Sequence, residues 1–162
     1  MRHGTVLPVL VTTVASDWLD YNGHMNDAAY ALVFSRAGDA LMDRIALDAA
    51  KRESSGRTLF TLQVMIHYFK EAKGGDSLSV SCRLLEHDEK RMRLWLEMTG
   101  PAGEAIAASE QLLLSVQLGE GAPRAAPWSF ETRAALDALA TAQSGMPRPP
   151  QAGQGVALKR KA

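Results

Sequence analysis

Hydrophobic positions along this chain follow two periods, and the switch between them outlines the fold. From Val6 to Val14 the residues are rich in Val and Thr. This reads as a first strand, and Pro8 places it near a sheet edge because proline has no N–H for a ladder. Tyr30, Phe34, Ala37, Leu41 and Ile45 then recur at intervals of three and four. Leu32 and Val33 widen that stripe, while Arg36, Asp39, Asp43 and Arg44 fall on other faces. The spacing predicts one long helix with a single buried side, beginning near Asp27 and ending around Ala50, before the Ser54-Ser55-Gly56 break.

Beyond that break the period drops to two. Thr58 to Phe69 is β-branched and aromatic and stops at the Lys73-Gly74-Gly75-Asp76 turn. Leu78, Val80, Cys82 and Leu84 alternate with Ser77, Ser79, Ser81 and Arg83, the pattern of a half-buried strand. Met92, Leu94, Leu96 and Met98 repeat it from Arg91 to Thr99, and Glu104 to Leu118 is the last strand after Gly100-Pro101-Ala102-Gly103. One strand, one long helix and an antiparallel meander with short turns define an α+β fold. Its sheet of about five strands must bury one face against the helix. After Gly119 a Pro- and Ala-containing connector leads to a short amphipathic helix from Phe130 to Ala142, and an extended tail starts at Gly145. Residues 1–120 therefore form the main domain, and residues 121–162 a C-terminal helix and tail.

Composition narrows the function. The chain has 162 residues, 46% of them hydrophobic, with a formal charge of zero, so nothing advertises a nucleic-acid partner. Lys159-Arg160-Lys161, the one basic cluster, reads as a solvated tail. No apolar run approaches the roughly 18–20 residues of a membrane span, and the N-terminus lacks the apolar centre of a signal peptide. Cys82 is the sole cysteine and falls on an apolar face, where it reads as a small core residue. The expected location is the cytoplasm.

Chemistry concentrates in Asp20-Tyr21-Asn22-Gly23-His24-Met25-Asn26. A carboxylate, two carboxamides and an imidazole occupy one turn-prone stretch just before the helix, whose first N–H groups and positive end they adjoin. Such a junction can hold a carbonyl oxygen gaining charge while a carboxylate attacks or activates water. It can equally be a polar turn with Asn26 capping the helix. Asp17, three positions before Asp20, could be a base, a turn-former or an arginine partner. His67 reads as a packed or rim residue, and His87 as a solvated turn residue. Glu71 and Glu110 read as structural ion pairs or exposed strand positions, and Trp95 as core or dimer surface. His24, His67 and His87 lack zinc-ligand spacing, Ser16 is not in a nucleophile elbow, and no phosphate loop occurs, so no metal or cofactor is expected.

The one-helix-then-meander order, together with Asp20-Tyr21-Asn22-Gly23-His24-Met25-Asn26 and Tyr30, resembles the hot-dog fold thioesterases of the 4-hydroxybenzoyl-CoA thioesterase type over residues 5–118. There a D-x-x-G-H-[VM]-N segment leads into a long helix wrapped by the sheet. The resemblance implies an acyl-CoA thioesterase in which Asp20 is nucleophile or general base, Asn22 orients nucleophile or substrate, and His24 positions the loop or assists proton transfer. Plant acyl-ACP thioesterases carry a similar D-x-N-x-H set. Gly23, Asn26, Asp27 and Tyr30 would line the substrate, with N–H groups near Asn26 and Asp27 polarising the carbonyl. His87-Asp88-Glu89-Lys90-Arg91, Ala108-Ser109-Glu110-Gln111-Leu112-Leu113-Leu114 and Met146-Pro147-Arg148-Pro149 look like the thioesterases of bacterial carnitine breakdown, which act on betainyl-CoA. The chain departs from the usual pattern at Asp27, where a neutral residue commonly follows the motif, and at Ser115, where a histidine is expected. An open edge strand and the family likeness imply a homodimer or higher homo-oligomer. Two rivals remain. The hot-dog hydratases need an Asn-Pro that this loop lacks; a non-catalytic acyl-CoA-binding or dimerisation domain would keep the fold without turnover.

Overall fold

A computed structural model of the chain describes residues 4–158. β1 (Leu7–Thr13) is followed by a 3-10 turn at Ser16–Trp18 and by the central helix α1 (Asp27–Arg44). Helix α2 (Ala49–Ser55) precedes β2 (Arg57–Tyr68), β3 (Ser77–His87), β4 (Arg91–Thr99) and β5 (Ala105–Gln117). A two-residue strand, β6 (Arg124–Ala125), and helix α3 (Phe130–Ala142) follow. All strands join one antiparallel sheet in the order β1-β3-β4-β5-β2, with β6 paired to β5.

The apolar stripe of α1 is the centre of the core. Val33, Phe34, Ala37 and Leu41 are fully buried among Leu78, Cys82, Leu94, Leu96 and Met98, the inward positions of β3 and β4. Each inward residue alternates with an outward one, so the sheet presents a continuous apolar face to the helix. This is the hot-dog arrangement that the sequence implied. No helix among the described residues is long and apolar enough to cross a membrane.

Several expectations need correction. The central helix does not run to Ala50. It stops at Arg44, Ala46 takes a left-handed conformation at φ 56°, and Leu47 N–H turns back to the Met42 carbonyl. Ile45 and Leu47 are both buried, which holds Ala46 in a conformation that costs an L-residue about 1–2 kcal/mol. Asp48 then caps α2 by accepting the Lys51 N–H at 2.9 Å, so a second helix precedes the strands. Leu32 does not widen the buried stripe; it is exposed.

The meander is also incomplete. β3, β4 and β5 are joined in sequence, but β2 pairs with β5 and not with β3. The segment containing Lys73-Gly74-Gly75-Asp76 is therefore a crossing between opposite parts of the sheet, not a hairpin turn. β1 and β2 form the two edges, with an irregularity in the β1 ladder at Pro8.

The C-terminal tail is not free either. Gln143, buried at the end of α3, accepts the Leu84 N–H at 2.8 Å and donates to the Cys82 carbonyl at 3.0 Å. The Arg83 guanidinium donates to the carbonyls of Met146 and Pro147, and Glu110 accepts the Gly153 N–H at 2.6 Å. Tail residues 146–151 thus line one cavity with Trp95, which is buried. His87 is not solvated; its Nε2 meets Asp137 of α3 at 3.2 Å. Lys159-Arg160-Lys161 lies outside the described residues. Replacing Gln143 with Leu leaves two buried backbone groups of β3 without partners, so Gln143→Leu is expected to lower unfolding stability by about 2–4 kcal/mol in urea titration.

Candidate active site

The stretch from Trp18 to Asn26 folds back on itself because its side chains replace the hydrogen bonds its backbone lacks. Asp20 Oδ1 accepts the N–H groups of Asn22 at 2.8 Å and His24 at 3.3 Å, while Asp20 N–H donates to the His24 carbonyl at 2.8 Å. Gly23 sits at φ 78°, a conformation open to glycine and strained for most other residues. Asn26 N–H closes the loop on the Trp18 carbonyl at 2.8 Å, and its Oδ1 caps α1 through Ala28 N–H at 2.9 Å. Asp20 is thus a turn-former and Asn26 a helix cap. Among the described residues, Asp20 Oδ2 has no hydrogen-bond partner, and it remains free for chemistry.

The crossing segment after β2 completes the site. Met25 N–H donates to the Ala72 carbonyl at 2.8 Å. From α1, the buried Tyr30 hydroxyl accepts Ala72 N–H at 3.1 Å and lies 3.5 Å from the Lys70 carbonyl. These bonds fix Glu71 opposite the turn, where its Oε2 lies 3.2 Å from His24 Nε2. Tyr68 packs edge-to-face on Tyr30, with ring centroids 5.2 Å apart, and its hydroxyl donates to the Asp27 carbonyl at 3.3 Å. Burial sets the Tyr30 phenol above its usual pKa, the hydrogen bond from Ala72 N–H offsetting part of that rise and the nearby Glu71 charge adding to it; burial and then the Asp27 charge do the same for Tyr68. Both hydroxyls stay neutral donors at ordinary pH.

Asp20, Asn22, His24, Asp27, Tyr30, Tyr68 and Glu71 line one open cleft of about 400 Å³. The helix start offers less to an incoming carbonyl than its polarity suggested. Ala28 and Ala29 N–H groups are already bonded to Asn26 and Asp27, and Asn26 N–H to Trp18, which leaves the Asp27 N–H. Tyr30, which lines the cleft, is 3% exposed, and both its polar contacts are to backbone. Asp17 lies on the 3-10 turn and does not line the cleft. His67, Cys82, Glu110 and Ser115 also lie away from it; burial pushes the Cys82 thiol up to about 12. Among the described residues no cluster of three or more His, Cys, Asp or Glu could hold a metal.

The contact of Glu71 with His24, which lies on the far side of α1 in sequence, is not foreseen by the sequence reading, because no local pattern reports a contact of that kind.

A helix clasped by a curled antiparallel sheet, with a carboxylate and an imidazole in the turn at its N-terminus, is the framework of acyl-thioester hydrolases of the hot-dog class. The chain matches the thioesterase-like superfamily model over residues 14–136 and belongs to that superfamily. It is 44% identical to the betainyl-CoA thioesterase of Pseudomonas aeruginosa over 154 residues, 94% of this chain and 96% of that protein. It is 37% identical to the L-carnitine dehydrogenase/betainyl-CoA thioesterase of Agrobacterium fabrum over 91% of this chain but only 30% of that longer protein. A Pseudomonas putida structure assigned as a thioesterase superposes with a TM-score of 0.82 at 38% identity, over 96% of this chain and 99% of that one. A Staphylococcus aureus protein solved in complex with CoA has the same fold, with a TM-score of 0.87 at 24% identity over 98% of this chain and 99% of that one.

If the Tyr30 hydroxyl is what fixes the crossing segment, Tyr30→Phe should leave the Ala72 N–H buried without a partner. The expected loss is about 1–3 kcal/mol in urea unfolding, with an unchanged far-UV spectrum.

Proposed function

We propose that this chain hydrolyses an acyl-CoA thioester to a carboxylate and free CoA, and that betainyl-CoA is its substrate. The observation that carries this reading is the meeting of Asp20, His24 and Glu71 on one cleft, in a chain 44% identical to a betainyl-CoA thioesterase over nearly the whole of both proteins.

In this reading Asp20 Oδ2 either deprotonates a water that attacks the thioester carbonyl carbon, or attacks that carbon itself to form a mixed anhydride that water then hydrolyses, which releases the carboxylate and regenerates Asp20. Oδ1 is occupied by two backbone N–H groups, so the carboxylate is oriented before substrate arrives and pays no ordering entropy at that step. The Asp27 N–H faces the oxygen that gains negative charge; one such donor is typically worth about 3–4 kcal/mol in the transition state. His24, held by Glu71, delivers a proton to the departing sulfur as the C–S bond breaks. Asn22, exposed on the turn, orients the nucleophile or the substrate.

The chain also works as a homodimer in this account. β2 is an edge strand of twelve residues with Phe60, Leu62 and Val64 exposed, and such an edge is a template for pairing with another chain. A second copy pairing its own β2 here would extend the sheet across the two-fold axis.

Thiol release from a panel of acyl-CoA thioesters tests the activity. Betainyl-CoA should be turned over, and Asp20→Asn should lose about 10²-fold or more in rate with the fold intact. Asp17→Asn should lose much less; equal losses, or normal turnover by Asp20→Asn, would remove Asp20 from its role. For the assembly, light scattering at micromolar concentration should give twice the chain mass. Phe60→Lys combined with Val64→Lys should shift it to the monomer, and a monomeric wild type would contradict the dimer.

A further inference from the structure

The cleft is charged in a way that thioester hydrolysis alone does not require. Among the described residues, Asp20, Asp27 and Glu71 line it with Lys70 as the only lysine or arginine, three carboxylates to one fixed positive charge. CoA is itself a polyanion, and like charges near its thioester oppose binding unless the acyl group is positive. Asp20 and Glu71 have roles in the turn and with His24. Asp27 has neither. Its carboxylate is exposed, accepts only the Ala28 N–H at 2.9 Å among the described residues, and stands on the helix start in the same cleft as Asp20.

Next to Asp27 is an aromatic ring. Tyr68 is 51% exposed, yet its hydroxyl is tied to the Asp27 carbonyl and its ring rests edge-to-face on Tyr30. The ring is therefore held rigidly at the cleft, with its orientation set from both sides. A rigid aromatic face beside a carboxylate is a site for a quaternary ammonium, which cannot donate hydrogen bonds and is recognised by ring quadrupole and charge. The nitrogen of a betainyl group is one methylene from the carbonyl carbon. Whatever recognises it must line the same cleft as Asp20, and Tyr68 and Asp27 both do.

We propose that Tyr68 and Asp27 form the subsite that selects a trimethylammonium-bearing acyl group, the Tyr68 ring meeting the methyl groups and the Asp27 carboxylate the charge. This rests on the thioesterase reading above and assigns its specificity to two residues outside the Asp20, His24 and Glu71 set.

The test compares kcat/KM for betainyl-CoA and for 3,3-dimethylbutyryl-CoA, its neutral isostere, in the wild type and in Tyr68→Leu, Tyr68→Phe and Asp27→Asn. The wild type should prefer the cation. Tyr68→Leu should reduce that preference by about 10-fold, with the neutral thioester much less affected, and Tyr68→Phe, which keeps the ring, should retain it; Asp27→Asn, which keeps the backbone N–H, should reduce the ratio between the two substrates by about 10-fold whatever its effect on overall rate. Should Tyr68→Leu fail to fold, the exposed Asp27→Asn carries the comparison. An unchanged preference, or equal losses on both substrates, overturns the subsite and leaves the hydrolase standing. No thiol release from any thioester overturns both.

Discussion

The site depends on one clamp. Segment 70–73 crosses from one edge of the sheet toward the other, and it is held between α1 and the Asp20–Asn26 turn by Tyr30 and Met25. Tyr30 anchors Ala72 through its hydroxyl, and Met25 takes the Ala72 carbonyl on the opposite side. A buried, doubly bonded backbone unit of this kind is costly to loosen, because each freed group would be left unsatisfied away from water. The position of Glu71 against His24 follows from that clamp, as does the closure of the cleft around Asp20. The core stripe of α1 and the alternation of β3 and β4 serve the clamp in turn, since they fix where the helix begins.

Local chemistry at the turn shows why a structural and a functional reading of the same residues coexist. Asp20 spends one carboxylate oxygen on two N–H groups, and Asn26 spends its side chain on capping α1. Neither use consumes what a reaction would need. The held oxygen orients the free one, and the cap fixes the helix start that presents the Asp27 N–H. Preorganisation of this sort is how an exposed loop can carry chemistry at all.

What could be read from the sequence was whatever repeats locally. The alternation from Leu78 to Leu84 and from Met92 to Met98, the bounds of α3 and the seven-residue motif all reappear in the structure. Contacts between distant segments were not legible. A Gly-Gly turn looks the same in a hairpin and in a crossing, so the pairing of β2 with β5 had no local signature. The helix stripe continues to Ile45 after the helix itself has ended, because a buried residue beyond the last turn keeps the same spacing. His87 with Asp137, Arg83 with the tail, and His24 with Glu71 each join residues far apart in the chain, through side chains whose local surroundings are ordinary.

The central claim is that His24 and Glu71, brought together by the clamp, act as one unit. A double-mutant cycle in kcat/KM with His24→Asn and Glu71→Gln measures this directly. If the two act together, the double variant should lose little more than His24→Asn alone, because the second removal deletes a partner already without function. Losses that simply add would show two independent residues, and would contradict the account.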